Sequence, residues 1–126
     1  MTGRRATPAA PGPPDTGTAS WRTICAYDDL PPERGVAALL DGAQVAVFRT
    51  HDGSLHALDN LDPYANAQVL SRGIIGSRGG VPTVASPMHK QVYDLRTGQC
   101  LDQPELTVRT YPVRCRDGMV EVRCPS

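Results

Sequence analysis

Two short stretches decide how this chain is read: Asn60-Leu61-Asp62-Pro63-Tyr64, and Ala85-Ser86-Pro87-Met88-His89-Lys90-Gln91-Val92-Tyr93-Asp94-Leu95-Arg96-Thr97-Gly98. Each follows an apolar run, and each contains a proline, which bars a continuing helix and favours a turn. A pair of side chains spaced x-Pro-x in one loop and x-Pro-x-x in another is the layout of a metal site built from two facing loops. The side chains that stand at those spacings are Asp62 and Tyr64 in the first loop and Ser86 and His89 in the second.

Outward from the loops, the pattern is one of short strands. Trp21 to Cys25 is β-prone, and Tyr27-Asp28-Asp29-Leu30-Pro31-Pro32 reads as a turn. Val36–Leu40, Ala43–Thr50 and Ser54–Leu58 then read as a three-stranded meander joined by Asp41-Gly42 and Asp52-Gly53. Asp-Gly between apolar runs suits a type I′ turn, which needs positive φ at both central residues. Gln68 to Gly80 is broken by Gly73, Gly76, Gly79 and Gly80, so one short strand and a mobile loop are expected there. Val81–Ala85 and Gln91–Leu95 bracket the second loop. Leu106–Val113 and Met119–Arg123 are predicted to close the fold as a hairpin about Asp117-Gly118, with Val120 and Val122 facing inward.

The two loops resemble those of the Rieske iron–sulfur domain, in which one offers Cys-x-His and the other Cys-x-x-His. There the second loop leads into a strand and an Asp-Leu-x-Thr-Gly turn, matched here by Asp94-Leu95-Arg96-Thr97-Gly98. The resemblance implies an all-β, Rieske-like antiparallel β-sandwich with a degenerate two-loop cluster-binding subdomain. Carried over position by position, Asp62 replaces the first cysteine, Tyr64 the first histidine and Ser86 the second cysteine, and only His89 is retained. A [2Fe–2S] centre of this type needs two thiolates and two imidazoles, so the resemblance implies a domain without the cluster.

Among such degenerate copies the chain is most similar to the small subunits of assimilatory NAD(P)H-dependent nitrite reductases. The residues that carry the likeness are Asn60–Tyr64, Val69-Leu70-Ser71-Arg72-Gly73-Ile74-Ile75 and Ala85–Gly98, within a similarity spanning Trp21 to Arg123. This implies a cofactor-free subunit with no catalytic residues of its own. It would dock on and support a large subunit that carries FAD, a [4Fe–4S] cluster and sirohaem and reduces nitrite to ammonium in nitrate assimilation. Pro63, Tyr64, Met88 and His89, at the loop tips, are the implied contacts.

Length and charge set the remaining bounds. The chain has 126 residues, enough for one domain that buries roughly two-thirds of its unfolded surface. Thirteen basic and thirteen acidic residues leave no formal net charge, which argues against nucleic acid or an anionic membrane as partner. Residues 1–20 are rich in Pro, Ala, Gly and Thr and read as a disordered tail ahead of a domain over residues 21–126. Arg4-Arg5 is not followed by an apolar export segment, and no run is long enough to span a bilayer, so a cytoplasmic protein is expected.

Other chemistry is weighed against plainer readings. Cys25, Cys100, Cys115 and Cys124 match no zinc spacing. A two-residue turn at Asp117-Gly118 places Cys115 opposite Val120, so Cys115 and Cys124 are not cross-strand partners and free thiols are expected. Asp62, Ser86 and His89 carry the groups of a hydrolase triad, but Pro87 removes the backbone N–H that most often forms an oxyanion hole. His51 and His56 flank a hairpin turn and read as solvent-facing rather than metal-binding. Arg72, Arg78, Lys90 and Arg96 form either a basic patch for an acidic partner or a nicotinamide phosphate, or a solvated face. Two other functions stand beside the subunit role: a Rieske-type electron carrier, which lacks its ligands here, and a stand-alone cluster-less interaction module.

Overall fold

A computed structural model describes residues 19–125, without the side chains of Ala19, Ser20, Cys124 and Pro125. The expected tail falls, over residues 1–18, outside the described residues. Among the described residues twelve strands pair antiparallel, with single 3-10 turns at Tyr27–Asp29 and Leu70–Arg72. In chain order the strands are β1 (Ala19–Ala26), β2 (Arg34–Leu40), β3 (Ala43–Arg49), β4 (Leu55–Asp59), β5 (Leu61–Asp62) and β6 (Ala67–Gln68). They continue as β7 (Ile74–Arg78), β8 (Val81–Ala85), β9 (Val92–Asp94), β10 (Thr110–Tyr111), β11 (Val113–Arg116) and β12 (Met119–Pro125).

Strand β3 organises the molecule. Val45, Ala46, Val47 and Phe48 are all fully buried, the continuous apolar run expected of a strand covered on both faces. It lies inside the sheet β10-β4-β3-β2. On one side, Val45 and Val47 pack with Leu30, Ala57, Tyr111, Val120 and Val122, closing a sandwich against the sheet β11-β12-β1. On the other, Ala46 and Phe48 pack with Leu58, Leu70, Val84, Tyr93, Leu95, Cys100 and Val108 beneath the sheet β9-β8-β7. The β9-β8-β7 sheet carries the second loop on the β8–β9 connection, and the β5-β6 ribbon carries the first.

Turn chemistry accounts for most of the register. Asp41 and Gly42 have φ of 50° and 88°, and Asp117 and Gly118 have 53° and 80°, so both Asp-Gly pairs form the expected two-residue turns. The second aligns Cys115 with Val120, and Val120 and Val122 are buried as expected. Among the described residues Cys25, Cys100 and Cys115 are free thiols.

Four expectations need correction. Asp52-Gly53 is not a two-residue turn: only Gly53 has positive φ, and the Gly53 amide donates to Thr50 O at 3.0 Å while the Thr50 amide donates to Ser54 O at 2.9 Å. This is a three-residue hairpin loop, a type I turn closed by a glycine bulge. Its Asp52 carboxylate caps the Ser54 amide at 3.0 Å, a local bond that favours this turn over the tighter one. Between Gln68 and Gly80 the one short strand expected is β7, but the stretch before it is a 3-10 turn rather than an irregular loop, and β7 joins β8 through Gly79-Gly80, both at positive φ. Gly-Gly supplies a tight hairpin here rather than acting only as a breaker. Leu106–Val113 is not one strand: Thr110–Tyr111 pairs with β4, Pro112 intervenes, and Val113–Arg116 pairs with β12. Proline cannot donate to a ladder, so the chain changes sheets there. Finally, β1 begins at Ala19 rather than Trp21.

Candidate functional site

The first loop is anchored from beneath by Asn60, which is 2% exposed. Its side-chain amide donates to Gln44 Oε1 and Gln68 O, each at 3.1 Å, and its Oδ1 accepts from the Ser71 amide at 2.7 Å. Three segments are thereby tied to one buried side chain. Leu61 and Asp62 then pair with Gln68 and Ala67, and the chain reverses through Asn66 at φ 56°. The second loop closes on itself: the Ser86 amide donates to Gln91 O at 2.8 Å, and the Lys90 amide to Ser86 O at 3.0 Å, with Lys90 at φ 60°. Gly73 brings the 3-10 turn alongside, since a Cβ there would stand 2.5 Å from Ala85 O.

The loops meet at Asp62. Its carboxylate is fully buried and accepts from the Ser86 hydroxyl, the Tyr93 hydroxyl at 2.7 Å, and the amides of Tyr64 at 3.0 Å and Ala65 at 3.4 Å. Ser86, 1% exposed, in turn accepts from the Met88 amide at 3.3 Å. Burial pushes the Asp62 carboxyl up, but the hydrogen bonds from Ser86, Tyr93 and the two amides outweigh it and hold the group below the usual carboxylate range. The same arrangement drives Tyr93 the other way: burial, with the adjacent Asp62 charge, raises its phenol and keeps it a neutral donor. The clasp spans three segments: loop one, loop two and the strand leaving loop two.

Tyr93 received no role from the sequence. The available signal was a phenol on the strand directly after the second loop, since a buried tyrosine hydroxyl needs a partner. Asn60 stands in the first loop's sequence, where nothing marks it as the anchor. The other ligand-position side chains face outward: Tyr64 is 47% exposed and meets the His89 ring edge-on, with centroids 5.1 Å apart. Met88 is 53% exposed and Pro63 is half-buried.

This geometry bears on each chemical reading. The Ser86 hydroxyl bonds to Asp62 and not to His89, so the three groups do not assemble as a triad. A [2Fe–2S] cluster does not fit the residues present: a carboxylate and a hydroxyl bond directly to each other where two thiolates would ligate, and a phenol replaces one imidazole. Among the described residues no three His, Cys, Asp or Glu side chains converge in a way that holds a metal ion. His51 lies in the hairpin loop and His56 pairs across from Phe48; burial pushes the His56 imidazole down. Of the four cations, Arg78 pairs with Asp102 at 3.0 Å and Arg96 with Asp94 at 3.1 Å.

Comparison with known proteins agrees with this architecture. Residues 20–123 match the Rieske-like [2Fe-2S] domain family. The small subunit of nitrite reductase (NADH) from Escherichia coli is 42% identical over 106 residues, covering 83% of this chain and 98% of that one. A crystal structure of a candidate small subunit of NADH-dependent nitrite reductase from Mycobacterium tuberculosis superposes with a TM-score of 0.84 at 49% identity, over 87% of this chain and 99% of that one. The large subunit of nitrite reductase [NAD(P)H] from Klebsiella oxytoca contains a region 44% identical over 114 residues, 90% of this chain but 12% of that protein. With its fold, its two loops and nearly the full length of the two small subunits matched, the chain belongs to the Rieske-like domain family and, within it, to the nitrite reductase small subunits.

Proposed function

We propose that this chain is the cofactor-free small subunit of a cytoplasmic NAD(P)H-dependent nitrite reductase that serves nitrate assimilation. It docks on and supports a large subunit bearing FAD, a [4Fe–4S] cluster and sirohaem, and it contributes no catalytic residue. The observation that carries this reading is the Asp62–Ser86–Tyr93 clasp. It occupies the ligand positions with hydrogen bonds while the loop tips stay exposed, so the two-loop shape persists without an electron carrier. The homologous region within the K. oxytoca large subunit supports the choice of partner, since a domain of this kind there shares one polypeptide with the rest of that protein.

Apolar and aromatic groups at an exposed tip gain most when a partner covers them, and interface energy concentrates in a few such residues. Pro63, Tyr64, Met88 and His89 are assigned to that contact. The test is co-purification of the untagged chain with its tagged large subunit, followed by titration of the Tyr64→Ala/Met88→Ala variant. The variant is expected to stay folded and to bind about 2 kcal/mol more weakly, roughly thirtyfold in affinity. Unchanged affinity in a folded variant would remove the tips from the interface, and failure to co-purify would favour a stand-alone module. The purified chain should be colourless and free of iron; a brown protein would refute the cofactor-free reading.

A further inference from the structure

From Leu61 to Tyr93 the charged side chains are Asp62, Arg72, Arg78 and Lys90. Asp62 is fully buried, and its carboxylate is committed to four donors, so it presents little to a partner. Arg78 is held by Asp102. Arg72 and Lys90 are exposed, and among the described residues neither has a carboxylate within ion-pair distance. Every other carboxylate from residue 19 onward lies outside this segment. On the two-loop subdomain Asp94 and Asp102 balance Arg96 and Arg78, so Arg72 and Lys90 stand there as the cations with no acidic partner among the described residues.

The same subdomain carries three of the five exposed large hydrophobic side chains among the described residues, the other two being Leu39 and Met119. Ile74 is 76% exposed, Met88 53% and Tyr64 47%. Ile74 pairs with Ala85, and Ala85 with Val92, which makes one cross-strand row. The adjacent row, Ile75, Val84 and Tyr93, points into the core, so the first row faces outward. Met88 sits on the loop that joins Ala85 to Val92. An apolar strip thus runs from the loop tip down the outer face, with Lys90 on the loop at one end and Arg72 two residues before Ile74 at the other.

We infer that the two-loop subdomain docks onto an acidic protein surface with an apolar centre, on the large subunit itself, with Ile74 extending the apolar contact and Arg72 and Lys90 forming its charged rim. This rests on the proposed docking role and adds the chemistry of the surface that is met. Rim charges of opposite sign steer encounter and act mainly on the association rate, and salt screens them. Buried apolar contacts act mainly on dissociation and are little affected by salt.

The experiment measures association and dissociation rates with the purified large subunit at roughly 50 mM and 500 mM NaCl. Arg72→Glu/Lys90→Glu is expected to slow association about tenfold at low salt and hardly at all at high salt. Arg72→Gln/Lys90→Gln should show a smaller loss of the same kind and serves if the reversed variant does not fold. Ile74→Ser should speed dissociation severalfold at both salt concentrations. Association indifferent to salt and to both charge variants overturns this inference while the docking role stands, provided Tyr64→Ala/Met88→Ala still weakens the complex. If that variant too is without effect, the loop tips are not the interface and this inference falls with them, whereas the docking role itself falls only if the chain does not co-purify with the large subunit. Sedimentation of the chain alone supplies the remaining outcome: a salt-sensitive dimer lost in Arg72→Glu/Lys90→Glu would make a second copy the occupant and overturn the assignment to the large subunit.

Discussion

The two faces of strand β3 are secured by different physics. On the sandwich side, Val45 and Val47 meet Leu30, Ala57, Val120 and Val122, a mainly aliphatic core whose attraction is non-directional and scales with the area removed from water. On the subdomain side, Ala46 and Phe48 meet a core that includes Tyr93, and the Tyr93 hydroxyl continues beyond it to Asp62, whose hydrogen bonds join the two loops beneath the exposed Tyr64–His89 ring contact. One side tolerates exchange of one aliphatic group for another of similar size. The other depends on a single ionised carboxylate with four donors around it, and a buried polar network of that kind is favourable only when every member is satisfied.

That contrast orders the expected outcomes. Phe48→Ala, which empties the largest side chain that β3 sends toward the subdomain, should cost about 3–5 kcal/mol in urea unfolding. A loss below about 1 kcal/mol would mean that the subdomain core contributes little. Asp62→Ala leaves the Ser86 and Tyr93 hydroxyls and two amides without their acceptor and should cost about 2–3 kcal/mol. Asp62→Asn, which keeps an accepting oxygen, should cost less, and equal losses would show that packing rather than hydrogen bonding holds the loops.

Acid should act through the clasp before it acts on the aliphatic side. The Asp62 carboxyl is held below its unfolded value, so the native state binds its proton less readily than the unfolded chain does. Its stabilisation is complete above the unfolded carboxylate pKa of about 3.9 and is lost as pH falls from there through the native value. Asp94, which burial pushes up and the Arg96 hydrogen bonds more than offset, contributes in the same direction. Thermal melts between pH 6 and pH 3 should therefore fall less steeply for Asp62→Asn than for the parent chain; parallel curves would break the assignment. The smallest effect belongs to Tyr64→Ala/Met88→Ala, whose side chains are about half exposed: stability should change by no more than about 0.5 kcal/mol. A drop of several degrees in melting temperature would place those side chains in the core of the subdomain.

Reading from the residues went furthest where structure is local. Asp41-Gly42 and Asp117-Gly118 formed the turns they imply, and the second put Cys115 opposite Val120 as spacing required. It went astray where a local signal had two outcomes. Asp52-Gly53 suits either a two-residue or a three-residue loop, and bonds from Thr50 and Ser54 to Asp52 favour the longer one. Gly79-Gly80 is both a breaker and a tight turn, and which it becomes depends on whether the flanking segments pair.

The sequence by itself determined the strand-rich architecture and the absence of cysteine at Asp62 and Ser86, because turn propensity is short-range and a missing thiol is visible in one residue. Only the tertiary structure decided what Asp62 and Ser86 do instead. Asp62 and Tyr93 are 31 positions apart, and Asp62 and Ser86 are 24 apart. Whether such groups meet depends on how two sheets stack on β3 and on burial that makes an unpaired carboxylate too costly to leave. The same packing turned Tyr64 and Met88 outward while it drew Asp62 and Ser86 in, a division that loop residues so close in the chain do not announce.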